Sequence, residues 1–270
     1  MSEAATRVQI AAANAYESLF VTALFQEWAP RVIDAARIRP EDSVLDVACG
    51  TGVLARQALL RVGPEGSVTG LDVSPGMLAV AQELTPAVEW RLGLAEALPF
   101  PNQAFDAVVS QFGLMFFNDR SQALQEMLRV LEPRGRLAVA VWGAVESMPA
   151  YAAMIALLDR VGGRRAGDAL RAPFALGRAA EVTRLFEAAG IESLAVTTDR
   201  GTARFPNIRT LVEADVRGWL PAVGVELPEA QIERILDEAE TELAPYRTPD
   251  GPVVFETTAI IASGTKPSKA

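Results

Sequence analysis

Apolar positions along this chain recur with two periods, and the alternation between them lays out a fold. Short apolar runs at residues 43–47, 67–72, 88–92, 105–110 and 136–142 predict strands. Between them, apolar residues spaced by three and four predict helices over 53–62, 77–83 and 119–130, the last burying Leu124, Met127, Leu128 and Leu131. Gly63-Pro64 closes the first of these helices, while Ser74 and Pro75 supply a cap and a first-turn proline for the second. Strands and helices in alternation predict an α/β fold, a parallel sheet covered by helices on both faces.

The flanks are less regular. Val8, Ala12, Ala15 and Leu19 step by four, three and four, predicting an opening helix with those residues inward. A second helix begins at Pro30 and buries Val32, Ile33 and Ala36. After residue 142, helices are predicted over 151–161 and 178–189, and strands over 191–202 and 253–262. Residues 206–249 read as mostly helical, with Ile232, Ile235, Ala239 and Leu243 as a packing stripe. The expected organisation is one domain, 1–270, with a helical cap over 1–37, a core over 43–142 and a helical lid insert over 206–249. The tail Lys266-Pro267-Ser268-Lys269-Ala270 is expected to fray.

Composition narrows the chemistry. The 270 residues include 25 Lys plus Arg against 34 Asp plus Glu, a net charge of −9, with one cysteine and no histidine. That balance argues against a nucleic-acid partner, which wants a basic stripe. Catalytic triads and histidine bases are excluded, and one thiol without imidazoles leaves no ordinary zinc site, so no metal is expected. No apolar run approaches the roughly 20 residues of a membrane-spanning helix, and the first segment lacks a secretory pattern. A cytoplasmic protein acting on a small molecule is expected.

The candidate chemistry sits at Val44-Leu45-Asp46-Val47-Ala48-Cys49-Gly50-Thr51-Gly52, followed by Asp72. Small residues at 48, 50 and 52 allow a sharp strand-to-helix turn and a ligand lying on the backbone. Asp72, ending the second strand, is placed to accept two ribose hydroxyls. A dinucleotide fingerprint wants glycine at the first, third and sixth positions of the turn, where this chain has Ala48, Gly50 and Val53. The Asp46 carboxylate would repel a pyrophosphate and suits a cationic ligand.

Asp46-x-Ala48-x-Gly50-x-Gly52 resembles the first motif of class I S-adenosylmethionine-dependent methyltransferases. Gly70-Leu71-Asp72-Val73-Ser74-Pro75-Gly76-Met77-Leu78, Ala95-Glu96-Ala97-Leu98-Pro99-Phe100, Phe105-Asp106-Ala107-Val108-Val109-Ser110 and residues 126–137 continue the likeness, similar to the methyltransferase type 11 and ubiquinone/menaquinone-biosynthesis-like group. The resemblance implies a Rossmann-like doubly wound sheet of seven strands, the last antiparallel. It implies S-adenosyl-L-methionine as cofactor and S-adenosyl-L-homocysteine as product. Asp46, Ala48 and Gly50, with Thr51 and Gly52 close by, would flank the methionine moiety. Asp72 would hold the ribose, and Val73, Met77, Ala95 and Glu96 the adenine. Ser110 and Gln111 would lie beside the sulfonium, and Tyr16 over the cofactor. Leu94 stands where many relatives carry an acid, so it offers the adenine amino group no acceptor. Phe112, Met115 and Trp142 are candidates for the substrate pocket. No catalytic base is identifiable. Two other readings stand beside this one: a non-catalytic or regulatory binder of the same cofactor, and an NAD(P)-dependent reductase, against which no Tyr is followed four residues later by Lys. The methyl acceptor and the oligomeric state are left open.

Overall fold

A computed structural model describes residues 3–268 of the chain. Seven strands form one sheet: β1 (Ser43–Val47), β2 (Ser67–Asp72), β3 (Glu89–Leu92), β4 (Phe105–Gln111), β5 (Leu131–Trp142), β6 (Glu192–Phe205) and β7 (Val253–Thr265). Their spatial order is β3-β2-β1-β4-β5-β7-β6. The first five pair in parallel, while β7 runs antiparallel between β5 and β6. After Ser43, β1 is apolar except at Asp46 because both its faces are covered; Val44, Leu45 and Val47 are fully buried. β6, at the edge, buries only alternate residues in its second half, among them Gly201, Ala203 and Phe205.

The helices are α1 (Glu3–Tyr16), α2 (Ala29–Ala35), α3 (Val53–Val62), α4 (Pro75–Leu84), α5 (Arg120–Val130), α6 (Pro149–Leu157), α7 (Arg164–Arg171), α8 (Ala179–Ala188), α9 (Ile208–Glu213), α10 (Leu220–Ala222) and α11 (Glu229–Glu242). Ser74 Oγ accepts the Met77 N–H at 3.3 Å and Asp119 Oδ1 that of Gln122 at 2.9 Å, so both caps fix where a helix starts. The α5 stripe Leu124, Met127 and Leu128 is buried, as its spacing predicts, while Leu131, also buried, already begins β5. Residues 206–249 hold α9, α10 and α11 between β6 and β7.

The opening helix differs from its predicted orientation. Val8 is 69% exposed and Ala12 and Ala15 also face outward, while Ala13, Phe20, Val21 and Leu24 are buried. Two features turn it. α1 lies on α4 at Gly76, where even a Cβ would meet the Gln9 backbone at 2.6 Å. Beyond Tyr16 the helix widens into a π-helical stretch, Glu17–Phe25, whose longer period breaks the three-and-four register.

The continuous helix Arg7–Phe25 also corrects the expectation that no segment has membrane-spanning length. Its 19 residues average a hydropathy of 1.2, enough by length and composition alone, and part of its apolar face is used on the core. The tail departs from expectation too. Lys266 is 6% exposed and its Nζ donates to the Leu131 carbonyl at 2.8 Å, pinning the chain past β7. Lys269 and Ala270 lie outside the described residues.

Candidate cofactor and acceptor site

β1 sits between β2 and β4, so chain connections leave it toward opposite edges of the sheet, and a crevice opens at the carboxyl ends of these strands. The turn after β1 is wound tightly. Ala48 (φ +58°) and Gly50 (φ +55°) are both left-handed, as is Phe112 (φ +57°) after β4. Two non-glycine residues held there indicate stored backbone strain where the two loops meet. Gly113 makes that meeting possible, since a Cβ on it would come within 2.6 Å of the Ala48 Cβ.

Asp72 organises the crevice. Its Oδ2 accepts the Gly50 N–H at 2.9 Å and its Oδ1 the Ser74 N–H at 2.8 Å, leaving lone pairs on each oxygen. Burial raises its pKa, and the backbone N–H groups offset only part of that. Of the residues singled out from the sequence, Tyr16, Ala48, Gly50, Val73, Met77, Leu94, Ala95, Glu96, Gln111 and Phe112 line the same cavity as Asp72. Val73 and Leu94 are apolar yet 60% and 53% exposed, flanking its mouth. Glu96 Oε1 is committed to the backbone N–H groups of Asn118 and Asp119. Arg129 and Glu126 hold the neighbouring loop: Glu126 accepts the Leu98 N–H at 2.9 Å, Arg129 donates to the Leu98 carbonyl at 3.0 Å, and this ion pair lowers the Glu126 pKa.

Asp46 lies beneath the turn, outside the lining. It is 1% exposed and neither carboxylate oxygen has a hydrogen-bond partner. Burial pushes its pKa well up, the nearby Ala55 backbone N–H acts the other way, and the smaller effects of the Asp72 charge and of Arg56 raise and lower it in turn. An unpartnered buried carboxyl group is costly and points to a missing donor. Thr51 and Gly52 are also outside the lining. Gly52 serves packing: a Cβ there would stand 2.4 Å from the Trp90 indole, and Gly70 makes the same concession. Gly50 alone leaves open space, with only the Tyr16 ring within 3.8 Å. Ser110 is fully buried with an unpartnered hydroxyl, and Met115 is packed into the core rather than facing a pocket. Cys49 is buried, and burial raises its thiol pKa, which suits a filler.

The helical cap is latched over the turn. Glu17 accepts from the Thr51 hydroxyl and from Arg56 Nη2 at 2.7 Å, while Arg56 Nη1 donates to the Thr51 carbonyl at 2.8 Å. Burial raises the Tyr16 hydroxyl pKa, with Asp72, Glu17 and Asp46 adding to it.

A second cavity of about 110 Å³ adjoins the crevice, and Tyr16, Phe112 and Phe116 line both. Its wall is aromatic. Phe112 and Trp142 stack at 3.7 Å and 7°, and Phe25 leans on both at 5.7 and 5.9 Å. Tyr151 and Trp219 complete it together with one acid, Asp215. Asp215 was not foreseen, though Leu211, Asp215 and Trp219 step by four along an otherwise apolar face.

Known proteins resemble the stretch of chain that builds this crevice. The sequence profile of the family described as "Methyltransferase domain" matches residues 45–139, the span that builds the crevice. Over residues 45–139 the chain is similar to this family. It is 43% identical to a demethylmenaquinone methyltransferase of Listeria monocytogenes over 120 residues, 43% of this chain and 51% of that one. It is 42% identical to the ubiquinone/menaquinone biosynthesis C-methyltransferase UbiE of Hahella chejuensis over 118 residues, 42% of this chain and 47% of that one. The chain thus spans about half the length of the curated relatives it matches. Two solved structures share the fold. The YcgJ protein of Bacillus subtilis superposes with TM-score 0.57 at 23% identity, covering 89% of this chain and 98% of that one. Phosphoethanolamine N-methyltransferase 2 of Haemonchus contortus, solved in complex with S-adenosyl-L-methionine, gives 0.58 at 17%, covering 94% and 56%. The seven-stranded Rossmann-like sheet with its antiparallel β7 is the fold of this group.

Proposed function

We propose that the chain is an S-adenosylmethionine-dependent methyltransferase acting on oxygen, nitrogen or carbon of a small molecule. One observation carries this reading: Asp46, a fully buried carboxyl group with both oxygens unpartnered, under the strained turn of a methyltransferase-family domain. A dinucleotide would bring phosphates to that carboxylate, whereas the ammonium of a methionine moiety would supply the donors it lacks.

The remaining residues fit the same cofactor. Asp72 has acceptor capacity left for two ribose hydroxyls. Val73, Met77 and Leu94 offer apolar surface to an adenine ring. Gly50 leaves the backbone open to close approach, and Tyr16 covers it. When bound, S-adenosylmethionine supplies an electrophilic methyl group on a sulfonium. What the chain contributes is alignment and dryness. The cap over 1–37, latched through Glu17, and the insert over 206–249 close the aromatic cavity beside the crevice. Holding two reactants in line with water excluded removes about 7–11 kcal/mol of barrier.

Labelled S-adenosylmethionine offered with a panel of phenols, quinones and amines tests the reading. Label should appear in at least one acceptor. Tight binding with no transfer to any acceptor would favour a non-catalytic binder, and binding of NADH alone would favour a reductase.

A further inference from the structure

The aromatic cavity holds a group that cofactor binding does not use. Asp215 is 2% exposed, its Oδ2 has no hydrogen-bond partner, and it is the only acid among the described residues lining that space, which has no base. It lies in another π-helical stretch, Ala214–Trp219, on the cavity wall. The methyltransferase profile ends at residue 139, so neither Asp215 nor most of the surrounding rings belong to the matched family segment.

Resting on the methyltransferase reading, we propose that this cavity is the acceptor site, that it takes a flat single-ring aromatic alcohol, and that Asp215 is the catalytic residue that accepts the hydroxyl proton. The stacked Phe112–Trp142 pair presents a flat π-surface, and aromatic rings gain about 0.5–1.5 kcal/mol from offset or edge packing beyond area burial. The volume, about 110 Å³, is below the roughly 150 Å³ of an apolar cavity that admits benzene, so it holds the occupant to at most one ring and shuts out a fused pair with a chain. Phe112 and Phe116 belong to both cavities, so a ring stacked there lies next to the crevice.

Electrostatics favour a neutral alcohol over an amine. Burial pushes the Asp215 carboxyl up to about 8, so near neutral pH it keeps its proton and the empty cavity carries no charge. A neutral phenol enters without shedding a charged hydration shell, as an ammonium would have to. A carboxyl group near 8 is also matched to a phenol near 10 for proton transfer at cellular pH. The ionisable groups facing Asp215 are the hydroxyls of Tyr151 on α6 and Tyr16 on α1, both raised by burial. Glu213 and Arg217 on its own stretch are engaged at the surface with Arg209 (3.1 Å) and Glu229 (2.8 Å). Asp215 acts from its ionised form, whose share grows as pH rises toward about 8: the acceptor O–H bond breaks, its proton goes to the Asp215 carboxylate, and the electron pair stays on oxygen. That oxygen bonds the methyl carbon as the carbon–sulfur bond breaks, with its pair kept by sulfur.

The test uses the full chain without cofactor. Phenol, its methyl ether anisole and benzylamine are titrated at about pH 8.5 against tryptophan fluorescence, Trp142 and Trp219 being in the wall; there Asp215 is mostly ionised and phenol is still neutral. Phenol should bind at least tenfold tighter than anisole, and Asp215→Asn should erase that preference while S-adenosylhomocysteine affinity stays unchanged. Tyr151→Phe should retain it, separating Asp215 from its hydroxyl neighbour. With cofactor and a phenol that turns over, the wild-type rate should rise with pH toward about 8, and Asp215→Asn should lose that limb and 10²- to 10⁴-fold in kcat. Equal binding of phenol and ether, or preference for the amine, would overturn the assignment while leaving the methyltransferase reading intact. Loss of S-adenosylhomocysteine binding by the wild-type chain would instead overturn that reading.

Discussion

Two carboxyl groups at the turn do different work, and their variants should behave differently. Asp72 is bonded on both oxygens, so Asp72→Asn should weaken S-adenosylhomocysteine binding by about 1.5–3 kcal/mol, roughly ten- to hundredfold by calorimetry. Asp46 is unpartnered, so Asp46→Asn should raise the thermal midpoint of the free chain while lowering cofactor affinity. An unchanged midpoint would mean the carboxyl group has a partner. The pH dependence follows from burial. Asp46, Asp72 and Asp215 all have raised pKa values, so the folded chain holds more protons than the unfolded one above the ordinary carboxyl range. Their effect is most favourable to the fold below about pH 4 and is lost as pH rises; for Asp215 the loss runs to about 8, at up to about 1.4 kcal/mol per pH unit. Asp215→Asn should therefore flatten denaturant stability between pH 5 and 8, and a parallel pair of curves would show the group is not buried as described.

At the scale of elements, the strand-turn-helix units are legible because local signals agree with burial: β1, β2 and α3 fall where the pattern puts them, and Ser74 caps as expected. What escaped was whatever depended on partners distant in sequence. The outward turn of Val8 and Ala12 is set by contact with Gly76 and by the widened stretch after Tyr16, neither of which has a local signature. Gly52 read as ligand clearance because nothing nearby in sequence announces Trp90. Asp46 and the Gly50 turn are readable from one short motif and Asp72 from the next, whereas the aromatic cavity draws on residues from Tyr16 to Trp219. The latch gives a prediction of its own. Glu17→Ala removes acceptors from Thr51 and Arg56, so amide exchange should speed up across residues 17–25 while β1 and β4 stay protected. Uniform exchange across the chain would mean global loosening instead.

For the molecule as a whole, the sheet sets the crevice proposed for the cofactor and the added helices help set the cavity proposed for the acceptor, with Tyr16, Phe112 and Phe116 shared between them. That division matches the reach of the family likeness, which covers residues 45–139 and leaves the cap and insert to this chain's own sequence. Everything downstream depends on what the crevice holds. The most direct measurement is calorimetric titration of the full chain with S-adenosylhomocysteine and, separately, with NADH. The account predicts saturable heat with S-adenosylhomocysteine, one equivalent per chain, reduced by Asp72→Asn and absent with NADH. Heat with NADH alone, or S-adenosylhomocysteine binding indifferent to both Asp46→Asn and Asp72→Asn, would contradict it.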